Sequence, residues 1–268
     1  MDEIFAPVRA WLARTRGVSG IQVLDEHGAV LFGQRAEEPF PAASVIKLPL
    51  VMALYADAAE GRLSLEERVA VGERVEGSGV LRLLQQVAPH TLADLAMLTM
   101  AFSDNTATNL LIDRLGPDRA GERLAEWSCS GTRLGRRMYD LEARARGLEN
   151  VMTPADTARL LLKLLRGELI DRATSDAVLR LLEANQDHTR LKRYLPGGAR
   201  IAHKSGWIEG VSNDAGVIWA GRPVVVVGFA RETDPAEAAV LLGLLGWCAY
   251  RAGGGEGPPL PMELSRPS

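Results

Sequence analysis

Residues 20–34, GIQVLDEHGAVLFGQ, alternate apolar and polar positions on both sides of Asp25-Glu26-His27-Gly28, which predicts a β-hairpin. The run that follows, SVIKLPLVMALYADAAEG, is apolar on every face, so it predicts a helix buried between layers rather than one lying on the surface. Its start is expected near residues 42–44, and Pro49 either kinks it or marks the first turn of a helix that begins later. From residue 64 to about 185 the period is helical, in TLADLAMLTMAFS, NTATNLLIDRLG, GPDRAGERLAEW, TPADTARLLLKLLRGE and TSDAVLRLLEANQ. Between the third and fourth of these, SCSGTRLGRRMYDLEARARGLENVM reads partly as loop although it holds several helix formers. The period then changes to two: ARIAHKSGW, SNDAGVIWAG and RPVVVVGFARE predict strands, and DPAEAAVLLGLLGWCAYRAG predicts a closing helix with an Asp-Pro start signal. The tail GGGEGPPLPMELSRPS reads as a frayed, linker-like end, and no repeat of 20 to 50 residues is present.

Strands at both ends with helices between them imply an α/β fold. Both ends of the chain share one antiparallel sheet flanked by helices, and the middle forms an inserted all-α lobe. The expected division is residues 1–50 plus 186–268 for a discontinuous α/β domain and 51–185 for an all-α domain, with the active site between them.

Length and composition set bounds on this picture. A chain of 268 residues that is 47% hydrophobic can bury one large core or two modest ones. A formal charge of -3 without blocks of like charge argues against nucleic acid or an anionic membrane as partner and leaves a small-molecule substrate or another protein. The start MDEIFAPVRAWLARTRG lacks the apolar run of a secretory signal, and no stretch of about 18 apolar residues suggests a membrane span. A cytoplasmic location is the expectation, and an exported one if that start replaces a removed signal. Cys129 and Cys248 stand apart from any metal-ligand or redox spacing, so they read as two reduced core thiols, and no metal or cofactor is implied.

Lysine occurs only at Lys47, Lys163, Lys192 and Lys204, while arginine supplies the other positive charges. Arginine stays protonated in proteins whereas a desolvated lysine can lose its proton, so lysines in two apolar neighbourhoods point to proton transfer. If Ser44 opens its helix, Lys47 lies one turn on and faces the same side, within reach of the hydroxyl. An amine whose pKa is lowered by burial and by a second cation can take the serine proton, and the helix start favours the alkoxide. Alone, the spacing reads equally as a serine N-cap followed by an unrelated lysine. Ser103-Asp104-Asn105 joins two helices and alone reads as a cap for the second. Lys204-Ser205-Gly206 reads as part of an interior strand that offers a cation, a donor and bare backbone to an extended substrate, or as an edge-strand lysine that opposes aggregation.

In this order the three motifs are those of class A β-lactamases and penicillin-binding proteins. From about residue 20 to the last helix the chain resembles the class A β-lactamase-like serine hydrolases, including GSGVLR at 77–82, TRL at 132–134, TPADTARLL and NDAGVIW. The resemblance implies acyl-enzyme formation on an amide, ester or β-lactam, with Ser44 as nucleophile and Lys47 as its proton acceptor. It makes Ser103 the shuttle to the leaving group, Asn105 a side chain that holds substrate and Lys47, and Lys204 the cation for the substrate's anion. Ser205, Gly206 and Trp207 continue that binding strand, and the backbone N–H groups of Ser44 and Trp207 form the oxyanion hole.

Three departures follow from the same resemblance. Met138 stands where the family's loop glutamate activates the deacylating water, and a thioether is no base. Asp140 and Glu142 are the nearby substitutes, or solvated acids that pair with Arg136, Arg137 or Arg144. Asn150 stands where Arg136 is expected to meet an acid, which implies a neutral bond at the neck of the loop. No arginine follows Lys204 where a substrate carboxylate would be anchored, and Arg231 is a weak replacement. The expectation is a serine hydrolase that acylates but deacylates β-lactams poorly. The alternatives are an active class A β-lactamase using Asp140 or Glu142, and a non-catalytic module that keeps the pocket. A Ser-His-Asp set through His203 is disfavoured because no nucleophile elbow surrounds either serine.

Overall fold

The computed structural model describes residues 3–116, 118–257 and 259–260. After α1 (Ala6–Leu12), the hairpin forms from β1 (Val18–Asp25) and β2 (Val30–Gln34). The Asp25 carboxylate closes its turn by accepting from the backbone N–H groups of His27 and Ala29 at 2.9 and 2.8 Å. A short strand β3 (Phe40–Pro41) leads to a 3₁₀ turn over Ala43–Ile46 and then α2 (Lys47–Ala59). The helix therefore begins at Lys47 rather than near residues 42–44. Proline lacks a donor, and a first helical turn does not need one, so Pro49 sits in that first turn without kinking the helix. Every residue from Lys47 to Asp57 is buried, as the all-round apolar run requires.

The middle of the chain holds β4 (Arg68–Val69), β5 (His90–Thr91), α3 (Leu92–Ala101), α4 (Asn105–Leu115) and α5 (Arg119–Glu126). There follow α6 (Leu141–Ala145), β6 (Val151–Met152), α7 (Pro154–Arg166) and α8 (Arg172–Glu183). The small antiparallel pairs β3–β6 and β4–β5 were not visible as sequence patterns because two residues carry no period. The last part is β7 (Arg200–Ile208), β8 (Val211–Trp219), β9 (Pro223–Arg231) and α9 (Pro235–Ala252), whose first turn is capped by Asp234.

One antiparallel sheet in the order β2-β1-β9-β8-β7 joins the two ends of the chain. Its central strand β9 pairs with β1 from Val18↔Arg231 to Asp25↔Val224, which explains its uninterrupted valines: both faces of this strand are covered. Val224 and Val226 pack with Leu241, Leu244 and Leu245 of α9 on one face. Val225, Val227 and Phe229 face the other, where they join the core that includes Leu160, Leu161 and Leu164 of α7 and the apolar body of α2. Thus α7, although its sequence lies among the helices of the middle segment, packs on the sheet itself.

β7 is an edge strand rather than an interior one, yet Ile201 to Ser205 are buried because α8 and the Ala43–Ile46 turn pack against it. The tail is not frayed throughout: Leu260 is buried in the apolar cluster of α9, and residues 261–268 lie outside the described residues. Both cysteines are free and buried. Among the described residues no helix is long and apolar enough to cross a membrane.

Near the C-terminal end of α2, Asp57 accepts from Arg119 at 2.7 Å and from Arg123 at 2.6 Å, and all three side chains are largely out of water. An acid near a helix C-terminus opposes the macrodipole, so this arrangement depends on the two guanidinium groups of α5. Asp57→Ala leaves Arg123 buried without its central partner and is expected to lower the unfolding free energy by about 3 kcal/mol. Urea denaturation checks this, and a loss below about 0.5 kcal/mol would make the cluster a bystander.

Candidate active site

A cleft of about 820 Å³ opens between the sheet edge and the helices, and Ser44, Ser103, Asn105, Ser205, Gly206 and Trp207 line it together. Ser44 reaches it from the 3₁₀ turn, just after Ala43, whose φ is +44°. Gly206 is bare for a steric reason: a Cβ there would stand 2.5 Å from the Ser44 backbone nitrogen and 2.9 Å from that of Val45. The edge of β7 therefore runs directly against the backbone amides at the helix start. Of the six non-glycine residues with left-handed φ among the described residues, Ala43, Ser103 and Tyr139 all line this cleft. Such conformations cost on the order of 1 kcal/mol each, and here they gather where the chemistry is.

Lys47 and Lys204 lie beneath the lining, both 0% exposed. The Lys47 Nζ donates to the Ser103 carbonyl oxygen at 2.7 Å and to Asn105 Oδ1 at 2.8 Å, and lies 3.1 Å from Ser103 Oγ. The Lys204 Nζ donates to Ser103 Oγ at 3.2 Å and to the Ser205 carbonyl oxygen at 2.6 Å. One hydroxyl thus stands between two amines. Burial, reinforced by the charge of Lys204 and opposed by Asp104, holds the Lys47 pKa well below the usual lysine range. Burial also lowers Lys204, to about 8, against the opposing pull of Asp214 and Asp187. No hydrogen bond joins Lys47 to Ser44, where one was expected; the amine is taken up instead by the acceptors on Ser103 and Asn105.

Asp104 caps α4 by accepting from the Ala107 N–H at 2.9 Å, as its position suggests. Its other oxygen accepts from the N–H groups of Val80 and Leu81 at 2.7 and 2.8 Å, and Asn105 Nδ2 donates to the Glu76 carbonyl at 2.9 Å. The Ser103-Asp104-Asn105 turn is therefore a cap and also the tether of the 76–81 loop. One helical turn beyond Asn105, Asn109 accepts from the Met138 N–H at 2.7 Å and donates to the Met138 carbonyl at 3.0 Å. Met138 is buried and lines the cleft. The side chain of Asn109, which no sequence pattern singled out, is what fixes the loop register.

Several expectations around this loop are corrected. Asp140 and Glu142 do not line the cleft: Asp140 caps α6 by accepting from the Ala143 N–H at 2.8 Å, and Glu142 is exposed on that short helix. The acids that pair with the loop arginines are Glu149 with Arg136 and Arg144, and Asp113 with Arg137. The Arg136 bond at the loop neck stays charge-assisted, 2.8 Å to Glu149. Asn150 instead accepts from the N–H groups of Gly135 and Arg136 at 2.8 and 3.0 Å. Arg231 is taken up by Glu38 at 2.5 Å and lies outside the cleft.

The cation missed in the sequence is Arg190, in the polar segment ANQDHTR that follows α8. Arg190 donates to Ser212 Oγ at 3.0 Å, to Thr189 Oγ1 at 3.2 Å and to Asp187, and all but Ser212 line the cleft. Burial pushes the Asp187 carboxyl up, but Arg190, Thr189 and Ser205 together hold it down at about 2. A run of Asp, Thr and Arg between a helix and the lysine strand is a signal that a search for polar loops would have raised. His203 and Asp214 lie 3.0 Å apart, buried and outside the lining, with Asp214 also accepting from the Leu191 N–H at 3.1 Å.

A family model described as the β-lactamase enzyme family matches residues 4–252. A β-lactamase of Streptomyces fradiae is 34% identical over 216 residues, which span 76% of this chain and 71% of that protein. The crystal structure of a β-lactamase from Sphaerobacter thermophilus superposes with a TM-score of 0.86 at 33% identity, covering 96% of this chain and 99% of that one. A mutant of PBP-A, solved as an acyl-enzyme complex with penicillin G, gives 0.82 at 28% identity, covering 94% and 96%.

With its pKa near 8, Lys204 carries its charge below that pH and loses it above. Binding of a small carboxylate such as N-acetylglycine is therefore expected to weaken from pH 7 to 9 with a midpoint near 8, and this midpoint should vanish in Lys204→Met. Calorimetric titration checks it, and an affinity that stays flat across the range would contradict the assignment.

Proposed function

Because the chain belongs to the class A β-lactamase family, we propose that it is a serine hydrolase in which Ser44 takes the acyl group of a β-lactam, amide or ester and releases it slowly. The observation that carries the reading is the Ser103 hydroxyl held at 3.1 and 3.2 Å from two buried lysine amines, in the cleft that Ser44 enters.

In the acylation step the Ser44 oxygen bonds to the substrate carbonyl carbon, and the bond from that carbon to the leaving nitrogen or oxygen breaks. The proton leaves Ser44 for the Lys47 amine and reaches the leaving atom through the Ser103 hydroxyl, so no charge is stranded. In the resting cleft the Lys47 amine is bonded to Ser103 and Asn105, so a bound substrate has to draw the Ser44 hydroxyl toward Nζ, a tightening common to catalytic hydrogen bonds. The backbone N–H groups of Ser44 and Trp207 take the developing oxyanion, each donor worth roughly 3 kcal/mol. Asn105 orients the substrate and Lys47, and Lys204 with Ser205 and Arg190 receives its anionic group.

Slow release is supported by the acids that the cleft offers. Met138 has no basic atom, Glu149 is bonded to Arg136, Asp187 is held at about 2, which makes it a poor proton acceptor, and Glu209 is an exposed carboxylate in the turn after β7 rather than in the Met138 loop. The similarity to PBP-A, captured as a penicillin G acyl-enzyme, supports β-lactams among the acyl donors.

Intact-mass spectrometry after mixing with penicillin G is expected to show a lasting adduct on Ser44 that is absent in Ser44→Ala. Met138→Glu is expected to shorten its lifetime by about a hundredfold, the contribution of a placed general base. Rapid turnover by the unmodified protein would overturn slow release, and no adduct and no turnover with penicillin G or an activated ester would overturn acyl transfer.

A further inference from the structure

The mouth of the cleft is apolar in a way that the acyl chemistry does not require. Phe102, Tyr139, Leu141 and Trp207 are all large, all exposed, and all line the cleft that Ser44 enters. Trp207, which directly follows the strand glycine packed on Ser44, is 65% exposed. Among the described residues its indole makes no ring stack, cation–π contact or side-chain hydrogen bond. Exposed apolar side chains gathered in one concavity, as opposed to scattered singly, mark a surface that something covers.

The opposite wall is held rigidly. Tyr139 keeps a left-handed backbone with φ of +63°, and its ring lies on the bare backbone of Gly77: a Cβ there would stand 3.1 Å from Tyr139 Cε2. The two hydrogen bonds from Asn109 to the adjacent Met138 fix the loop behind it. Tyr139 is therefore held in place before anything binds, which spares the entropy of ordering it. Most of the charges that line the cleft are paired, Arg136 and Arg144 with Glu149 and Arg190 with Asp187, and Glu209, in the turn after β7, adds an exposed carboxylate at the rim.

We infer that this cleft selects acyl groups with a bulky apolar body, aromatic or medium-chain alkyl, which lies between Trp207 and the Tyr139–Leu141 wall while the carbonyl sits at Ser44. The inference rests on the acyl-transfer reading and adds the substrate class to it. The bond changes are those of acylation; the apolar body moves no proton and supplies only transition-state binding.

Two measurements test it. In the first, acylation by 4-nitrophenyl octanoate and 4-nitrophenyl acetate is compared, each rate divided by the ester's rate with hydroxide. The octanoyl preference is expected to exceed about tenfold and to fall toward unity in both Trp207→Ala and Tyr139→Gly. Both substitutions remove exposed side chains, and glycine suits the left-handed φ at 139, so the fold is expected to persist. In the second, equilibrium dialysis measures N-octanoylglycine against N-acetylglycine on the Ser44→Ala protein. The same preference is expected there, without turnover. No octanoyl preference in either measurement, or one that both variants retain, overturns the inference. A preference in dialysis with no ester acylation by the unmodified protein would overturn acyl transfer and leave the apolar subsite standing.

Discussion

The site depends on two lysines buried at its floor and separated by one hydroxyl. An ammonium taken fully out of water is unstable unless it is paired or gives up its proton, and two of them repel each other. The fold meets this by leaving Lys204 near its acids, Asp214 and Asp187, while Lys47 keeps mainly carbonyl-type oxygens around it. One lysine is thereby biased to remain a cation and the other to become a base. Both Nζ atoms meet at Ser103, so the residue that separates the charges is also the residue that can pass a proton between the nucleophile's side and the substrate's side.

Much of the surrounding architecture maintains that geometry. β7 brings Lys204, and the missing side chain of Gly206 lets the strand approach the helix that carries Lys47. The Ser103-Asp104-Asn105 turn is held in register by its bonds to the 76–81 loop. Asn109 adds the loop of Met138 as a third wall. Each of these is a close packing or hydrogen-bonded contact between segments distant in sequence, which is how a fold holds several side chains within the narrow tolerances that catalysis demands.

In the loop that lines the site, backbone order and side-chain chemistry are set separately. At Met138 the backbone is clamped as firmly as a catalytic residue would require, but the side chain is a thioether. Around it, the acids that might compensate serve as helix caps or arginine partners: Asp140 begins α6, and Glu149 holds Arg136. The basic groups of the cleft that are not taken up as caps or arginine partners are thus concentrated on the lysine side.

The order of the elements, the hairpin, the buried helix, the three closing strands and the motifs at Ser44, Ser103 and Lys204 could all be read from the chain, because periodicity and motif spacing are local properties. That the lysines belong to one site was legible only through the resemblance to a family in which the three motifs, in this order, share one cleft. What the chain alone left open was decided by contacts across long separations. Whether β7 is an edge or an interior strand depends on which strands pair, and whether Lys47 touches Ser44 or Ser103 depends on competition among acceptors that folding brings together. Asn150 resembled a lost ion pair only because Glu149, one residue away, could not be placed. The roles of Arg190, Asn109 and the Trp207 side chain were decided only in three dimensions, since a polar loop residue or an exposed aromatic has no period, and what it does is set by what the fold puts around it.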